Sequence, residues 1–128
     1  MRCQLEFKNS QPIYMQVIDD IKRKMVTGVL PPGDKLPSVR DLAITYTINP
    51  NTASRVYREM EQMSLCFTRR GLGTFITEDT AVFEQLRGEM AHDCLAEFVQ
   101  GMENLGYRDT EEMVEQLRAF RARDAEPG

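Results

Sequence analysis

A mainly α-helical chain with one small β-hairpin is the architecture these 128 residues predict, and three observations carry it. Apolar residues recur at three- and four-residue spacing through five separate stretches. Each stretch is bounded by residues that start or stop helices. Only around residues 64–77 does the pattern shift to a two-residue period, with a Gly-x-Gly turn at its centre.

The elements follow in order. "CQLEF" reads as a short extended lead-in, with Leu5 and Phe7 on one side. In "SQPIYMQVIDDIKRKMVTG", Pro12 falls in a first helical turn, Ile13, Val17, Ile21 and Met25 share a face, and Gly28 is a natural C-terminal cap. "LPPGDKLP" is a connection turning at Pro32-Gly33. "SVRDLAITY" is a second helix, started by the capping pair Ser38 and Asp41 and striped by Val39, Leu42, Ala43 and Tyr46. After the short turn "TIN", the stretch "INPNTASRVYREME" begins a third helix. Asn49 is its N-cap, and Pro50 suits the first helical position, where an amide would be unpaired anyway.

In "SLCFTRRGLGTFIT", Leu65 and Phe67 alternate with polar positions and Thr74-Phe75-Ile76 resumes, predicting a hairpin with Gly71 and Gly73 at its tip. A long helix follows from residue 80 to near Gly106. A last one is capped by Asp109, with Glu112 at the matching third position, and "DAEPG" is expected to fray. Residues 1–77 form one domain on this reading and residues 78–128 a two-helix appendage.

Composition narrows the function. At 41% hydrophobic and 28% charged, the chain is that of an ordinary soluble protein. No apolar run is long enough to span a membrane, and "MRCQLEFKNS" is not a signal peptide. Cys3, Cys66 and Cys94 lack disulfide or zinc spacing, which suits a reducing cytoplasm and idle or buried thiols. The net charge of −4 hides an asymmetry. Residues 1–76 hold 11 Lys and Arg against 7 Asp and Glu, whereas residues 77–128 hold 5 against 13. A basic front half joined to an acidic back half marks the front as an interaction surface.

Three helices, the second and third joined by a tight turn, then a hairpin, make a winged helix-turn-helix. Its third helix fits the major groove of duplex DNA while its neighbours hold phosphates. The face opposite Ala53, Val56, Tyr57 and Met60 carries Asn51, Arg55, Arg58 and Gln62, with Thr52 beside it and Asn49 at the turn. Amides and arginines are the groups that pair with adenine, guanine and phosphate. Ser38 and the amides that start the second helix offer an anion seat, and Arg40 lies opposite that helix's apolar stripe. Arg69 and Arg70 bring charge to the hairpin, and Gly71 and Gly73 admit close approach to a groove. A winged helix used for protein–protein contact is the alternative. It calls for apolar anchors on the third helix, where this chain has Asn51, Thr52, Arg55 and Arg58.

The runs "LPPGDKLPSVRDLA", "INPNTASRVYREME" and "TRRGLGTFI", in this order and spacing, resemble the winged-helix domain of GntR-type bacterial transcription regulators over residues 12–76. The short tail is similar to that of the YtrA-like branch. The resemblance implies a homodimer on operator DNA, usually a repressor and often of a neighbouring transporter operon. It also implies that Ser38, Arg40, Asn51, Thr52, Arg55 and the wing from Arg69 to Gly73 touch DNA. Three positions depart from the family pattern: Pro50 where many members carry arginine, Ser64 where glycine is usual, and Leu72 where the wing tip is often basic.

On the long tail helix Phe83, Leu86, Met90, Cys94, Phe98, Met102 and Leu105 recur at helical spacing, and Met113, Val114, Leu117 and Phe120 continue on the last helix. Two helices cannot bury that much apolar surface between themselves, so a second copy is the expected partner, reading a palindromic operator. The tail is too small to enclose a metabolite, and the sequence names no small-molecule effector. His92, the sole histidine, has no partners at ligand spacing, so no metal or other cofactor is expected. No nucleophile–base pair, carboxylate pair or phosphate loop marks an enzyme.

Overall fold

The computed structural model describes residues 5–125. Cys3 and the start of the predicted lead-in, together with residues 126–128 of the predicted frayed end, lie outside them. Among the described residues the order is α1 (Ile13–Val26), α2 (Val39–Tyr46), α3 (Pro50–Gln62), β1 (Cys66–Arg69), β2 (Gly73–Ile76), α4 (Thr80–Asn104) and α5 (Thr110–Ala125). This is the mainly helical winged-helix arrangement expected. Pro12 is the N-cap of α1 rather than part of its first turn, its carbonyl accepting the amides of Met15 and Gln16. The last helix runs on through Asp124 and Ala125, farther than its composition indicates.

The chain divides into two compact units, the first ending at Arg87 and the second starting at Gly88. The division falls inside α4, whose first turns, with the buried Leu86, lie in the first unit.

In the first unit α3 packs on both α1 and α2. The core they share holds Val17, Ile21 and Met25 of α1, Leu42 and Tyr46 of α2, and Ala53, Val56 and Met60 of α3. One buried polar group supports it. The Gln16 side chain accepts from the Lys8 amide at 2.8 Å and donates to the carbonyls of Lys8 and Gln11, fixing the segment before α1. Between α1 and α2 the Tyr46 hydroxyl donates to Asp20 Oδ2 at 2.6 Å, which also takes Lys24 Nζ at 2.6 Å. Burial pushes the Asp20 carboxyl up, and these two donors with the nearby charges outweigh it, so the group lies below its ordinary value.

The turn between α2 and α3 is tight because Thr47 adopts a left-handed conformation (φ 54°), letting its amide reach Ile44 O and that of Ile48 reach Ala43 O. α3 ends the same way: Ser64 stands at φ 62°, with Ser64 N on Glu61 O and Leu65 N on Met60 O. The serine therefore occupies the position where a glycine is favoured.

β1 and β2 pair antiparallel with Cys66 opposite Ile76 and Arg69 opposite Gly73. The buried face of the hairpin carries Cys66 and Ile76; Phe67 lies on the other, half-exposed face, stacked with Phe75 at 5.8 Å between centroids. The alternation of Leu65 with Phe67 is thus not the inward register, since Leu65 is buried as part of the α3 exit instead. The segment before α2 adds a third edge: Leu36 N donates to Thr74 O and Ile76 N to Asp34 O, both at 2.8 Å. That pairing fastens the wing to the loop from which α2 starts.

Candidate nucleic-acid interface

Ser38 is the N-cap of α2, its Oγ accepting the Asp41 amide at 3.1 Å, and Ser38 and Arg40 are both exposed. Ser38 and Gly73 line the same open cleft of about 720 Å³, with Lys35, Asp41 and Thr74 around it. The start of α2 and the base of the wing, far apart in sequence, are therefore neighbours.

On α3 the Asn49 side chain accepts the Asn51 amide at 2.8 Å, so its oxygen is committed to starting the helix. Asn51, Arg55 and Arg58 are exposed and Thr52 is half-buried. Ser54, also exposed, belongs with them. The 100° helical step puts it about 40° from Arg58 on the same side of the helix, so the periodicity could have found it.

Arg55 is not a free side chain. Its guanidinium lies 3.8 Å from the centroid of the Tyr14 ring on α1, and its Nε is 3.8 Å from Glu59 Oε1 one turn along α3. Nothing in the spacing of the sequence announces that contact, because it depends on how α1 crosses α3.

In the wing, Arg69 and Arg70 are exposed, and the Arg69 guanidinium sits 5.3 Å from the Phe67 ring centroid. Gly71 at φ 81° makes the turn, closed by Leu72 N on Arg69 O at 2.9 Å, and Leu72 is exposed. Gly73 stands at φ 121°, and a Cβ there would meet Lys35 Cε at 3.0 Å. Lys35 is a basic group that sequence reading passes over; the bridge between Lys35 and Phe75 delivers it to the wing.

Cys66 is buried beneath this surface, and burial first and the Glu61 charge second push its thiol up to about 12, which keeps it neutral and inert. Cys94 and His92 are exposed. Among the described residues no three His, Cys, Asp or Glu side chains gather as a metal site would need, and no helix is long and apolar enough to cross a membrane.

The second unit presents an apolar surface. Of the residues expected on the tail's apolar stripe, Leu86 (buried) and Phe83 (half-buried) fall in the first unit; in the second, Met113 is already buried within the single chain and Met90 and Met102 are half-buried. Cys94, Phe98, Leu105 and Leu117 are exposed, and so are Leu95, Val99 and Phe120. Phe98, Leu105, Leu117 and Phe120 border a groove of about 470 Å³.

Comparison with known proteins places these features in context. Residues 13–76 match the family described as bacterial regulatory proteins, gntR family. The chain is 44% identical over 115 residues to the HTH-type transcriptional regulator YhcF of Bacillus subtilis, covering 90% of this chain and 94% of that one. It is 46% identical over 76 residues to the HTH-type transcriptional repressor YtrA of the same organism, covering 59% of this chain and 58% of the relative. A GntR family transcriptional regulator from Listeria monocytogenes has a similar structure, with a TM-score of 0.80 at 37% identity over 88% of this chain and 98% of that one.

Proposed function

Because the chain belongs to the gntR family of bacterial regulatory proteins, and is with it a DNA-binding transcription regulator built on a winged helix, we propose that it acts as a dimeric repressor on a palindromic operator. The observation that carries this reading is the exposed face of α3, where Asn51, Arg55 and Arg58 stand clear of the core just after a tight turn. The N-terminal half of α3 enters the major groove with Asn51, Thr52 and Arg55 at base edges and Arg58 toward the backbone. Ser38 with the first amides of α2, Arg40, and Asn49 at the turn hold phosphates. Arg69, Arg70 and the Gly71–Gly73 main chain reach the adjacent groove.

The second unit joins two copies. Its support is the exposed set Phe98, Leu105, Leu117 and their neighbours Leu95, Val99 and Phe120, more apolar surface than a solvated helix pair carries. A two-fold dimer reads two half-sites a helical turn or more apart, and occupancy of the operator blocks transcription. The gene controlled is a neighbouring transporter operon, and the site of action is the cytoplasm, where the operator is.

A fluorescence-anisotropy titration tests this. The duplex is the palindromic segment upstream of the protein's own gene, with a random duplex alongside, at two salt concentrations. Sequence-preferring, salt-sensitive binding by a dimer is the expected result. Equal and weak binding to both duplexes would exclude operator recognition by this chain.

A further inference from the structure

We propose that Tyr14 of α1 is a positioning residue for sequence recognition, acting through Arg55. The inference rests on the DNA-binding reading above. Arginine has four rotatable side-chain bonds, and fixing them on binding costs rotamer freedom. Here that freedom is spent before DNA arrives. The Tyr14 ring lies flat enough beneath the guanidinium for a 3.8 Å centroid distance, and Glu59 sits on the Nε side at 3.8 Å. These two contacts are made at the face of the guanidinium and at its Nε, and the Arg55 side chain remains half exposed, at 49%. A guanidinium held by its face and its Nε on a half-exposed side chain is oriented before it meets the O6 and N7 edge of guanine, with which an arginine fork pairs. A helix that touches no base would thus contribute to which base is read.

The test is a double-mutant cycle on the full chain. Anisotropy with operator and random duplexes would compare wild type, Tyr14→Phe, Tyr14→Leu, Arg55→Ala and the double variant Tyr14→Leu with Arg55→Ala. Tyr14→Phe keeps the ring and should bind as wild type does. Tyr14→Leu should weaken operator binding about two- to fivefold, the worth of an exposed cation–π contact, with random-duplex binding and salt slope unchanged. Once Arg55 is alanine, the leucine should have no further effect. The same loss with and without Arg55 would overturn the proposal and make Tyr14 a packing or independent contact residue. Wild-type protein binding both duplexes alike would remove DNA reading itself, and the inference with it. A measurement that needs no variant is the NMR shift of the Arg55 Cδ protons: the Tyr14 ring current should move them upfield, and ordinary values would also overturn the proposal.

Discussion

The hydroxyl of Tyr57 donates to the carbonyl oxygen of Pro37 at 2.6 Å. Tyr57 belongs to the buried face of α3, and Pro37 immediately precedes the N-cap of α2, so one bond links the third helix to the start of the second. Tyr57→Phe should cost about 1 kcal/mol, since a part-buried carbonyl loses its donor while the ring still packs. The check is a urea midpoint that falls with an unchanged m value. A midpoint equal to wild type would mean that water replaces the hydroxyl.

Cys66 gives the fold an alkaline limit. Its thiol, ordinarily near 9, is held up to about 12 by burial and then by the Glu61 charge. The native state favours the protonated thiol, so this group's stabilisation is complete below about pH 9 and is lost as pH rises toward 12. Cys66→Ala should flatten the fall in Tm over that window. Tyr57, raised by burial and then by the charges of Cys66 and Asp41, acts in the same direction at higher pH. An alkaline slope unchanged in Cys66→Ala would assign the loss to Tyr57.

Ser64 carries a cost that a glycine would not. Its left-handed backbone at φ 62° is disfavoured by about 1–2 kcal/mol for an L residue, against about 0.5–1 kcal/mol of extra chain entropy that a glycine loses on folding. Ser64→Gly should therefore stabilise the protein by about 0.5–1 kcal/mol, seen as a higher urea midpoint. A lower one would mean that the serine side chain makes a compensating contact.

Much of this architecture is written in local signals. Asn49 followed by Pro50 places the start of α3, Ser38 places that of α2, and the apolar stripes of both helices are the ones buried, except that Val39 is only half-buried. Relationships set by tertiary packing are not local and were not legible. The Tyr14–Arg55 stack depends on how α1 crosses α3, and Lys35 reaches Gly73 only because residues 34–36 pair with β2. The hairpin register misleads for a related reason: Leu65 is buried by the helix exit before the strand begins, which disguises the true inward position, Cys66.

Leu117 tests the association proposed for the second unit. It is 45% exposed on α5 and borders the groove with Phe98 and Phe120, so a charge there meets solvent in a monomer and apolar surface in a dimer. Leu117→Glu should leave the far-ultraviolet circular dichroism unchanged and shift sedimentation from dimer toward monomer. A variant that remains dimeric would move the contact to another face.

Arg40 and Arg55 should fail in different ways. Arg40 is exposed on the first turn of α2, beside the proposed phosphate seat at Ser38. A phosphate contact releases counterions whatever the sequence, so Arg40→Ala should weaken operator and random duplex alike and reduce the salt slope by about one. Arg55, held on Tyr14 at the N-terminal half of α3, is the residue proposed for a base edge instead. Arg55→Ala should lose about 1–3 kcal/mol on the operator and much less on random duplex, with little change in unfolding midpoint, because its contacts are at the surface. Titrations of both variants against both duplexes separate the two roles. A uniform loss from Arg55→Ala would move that residue to the backbone, and base reading would then fall to Asn51 and Thr52.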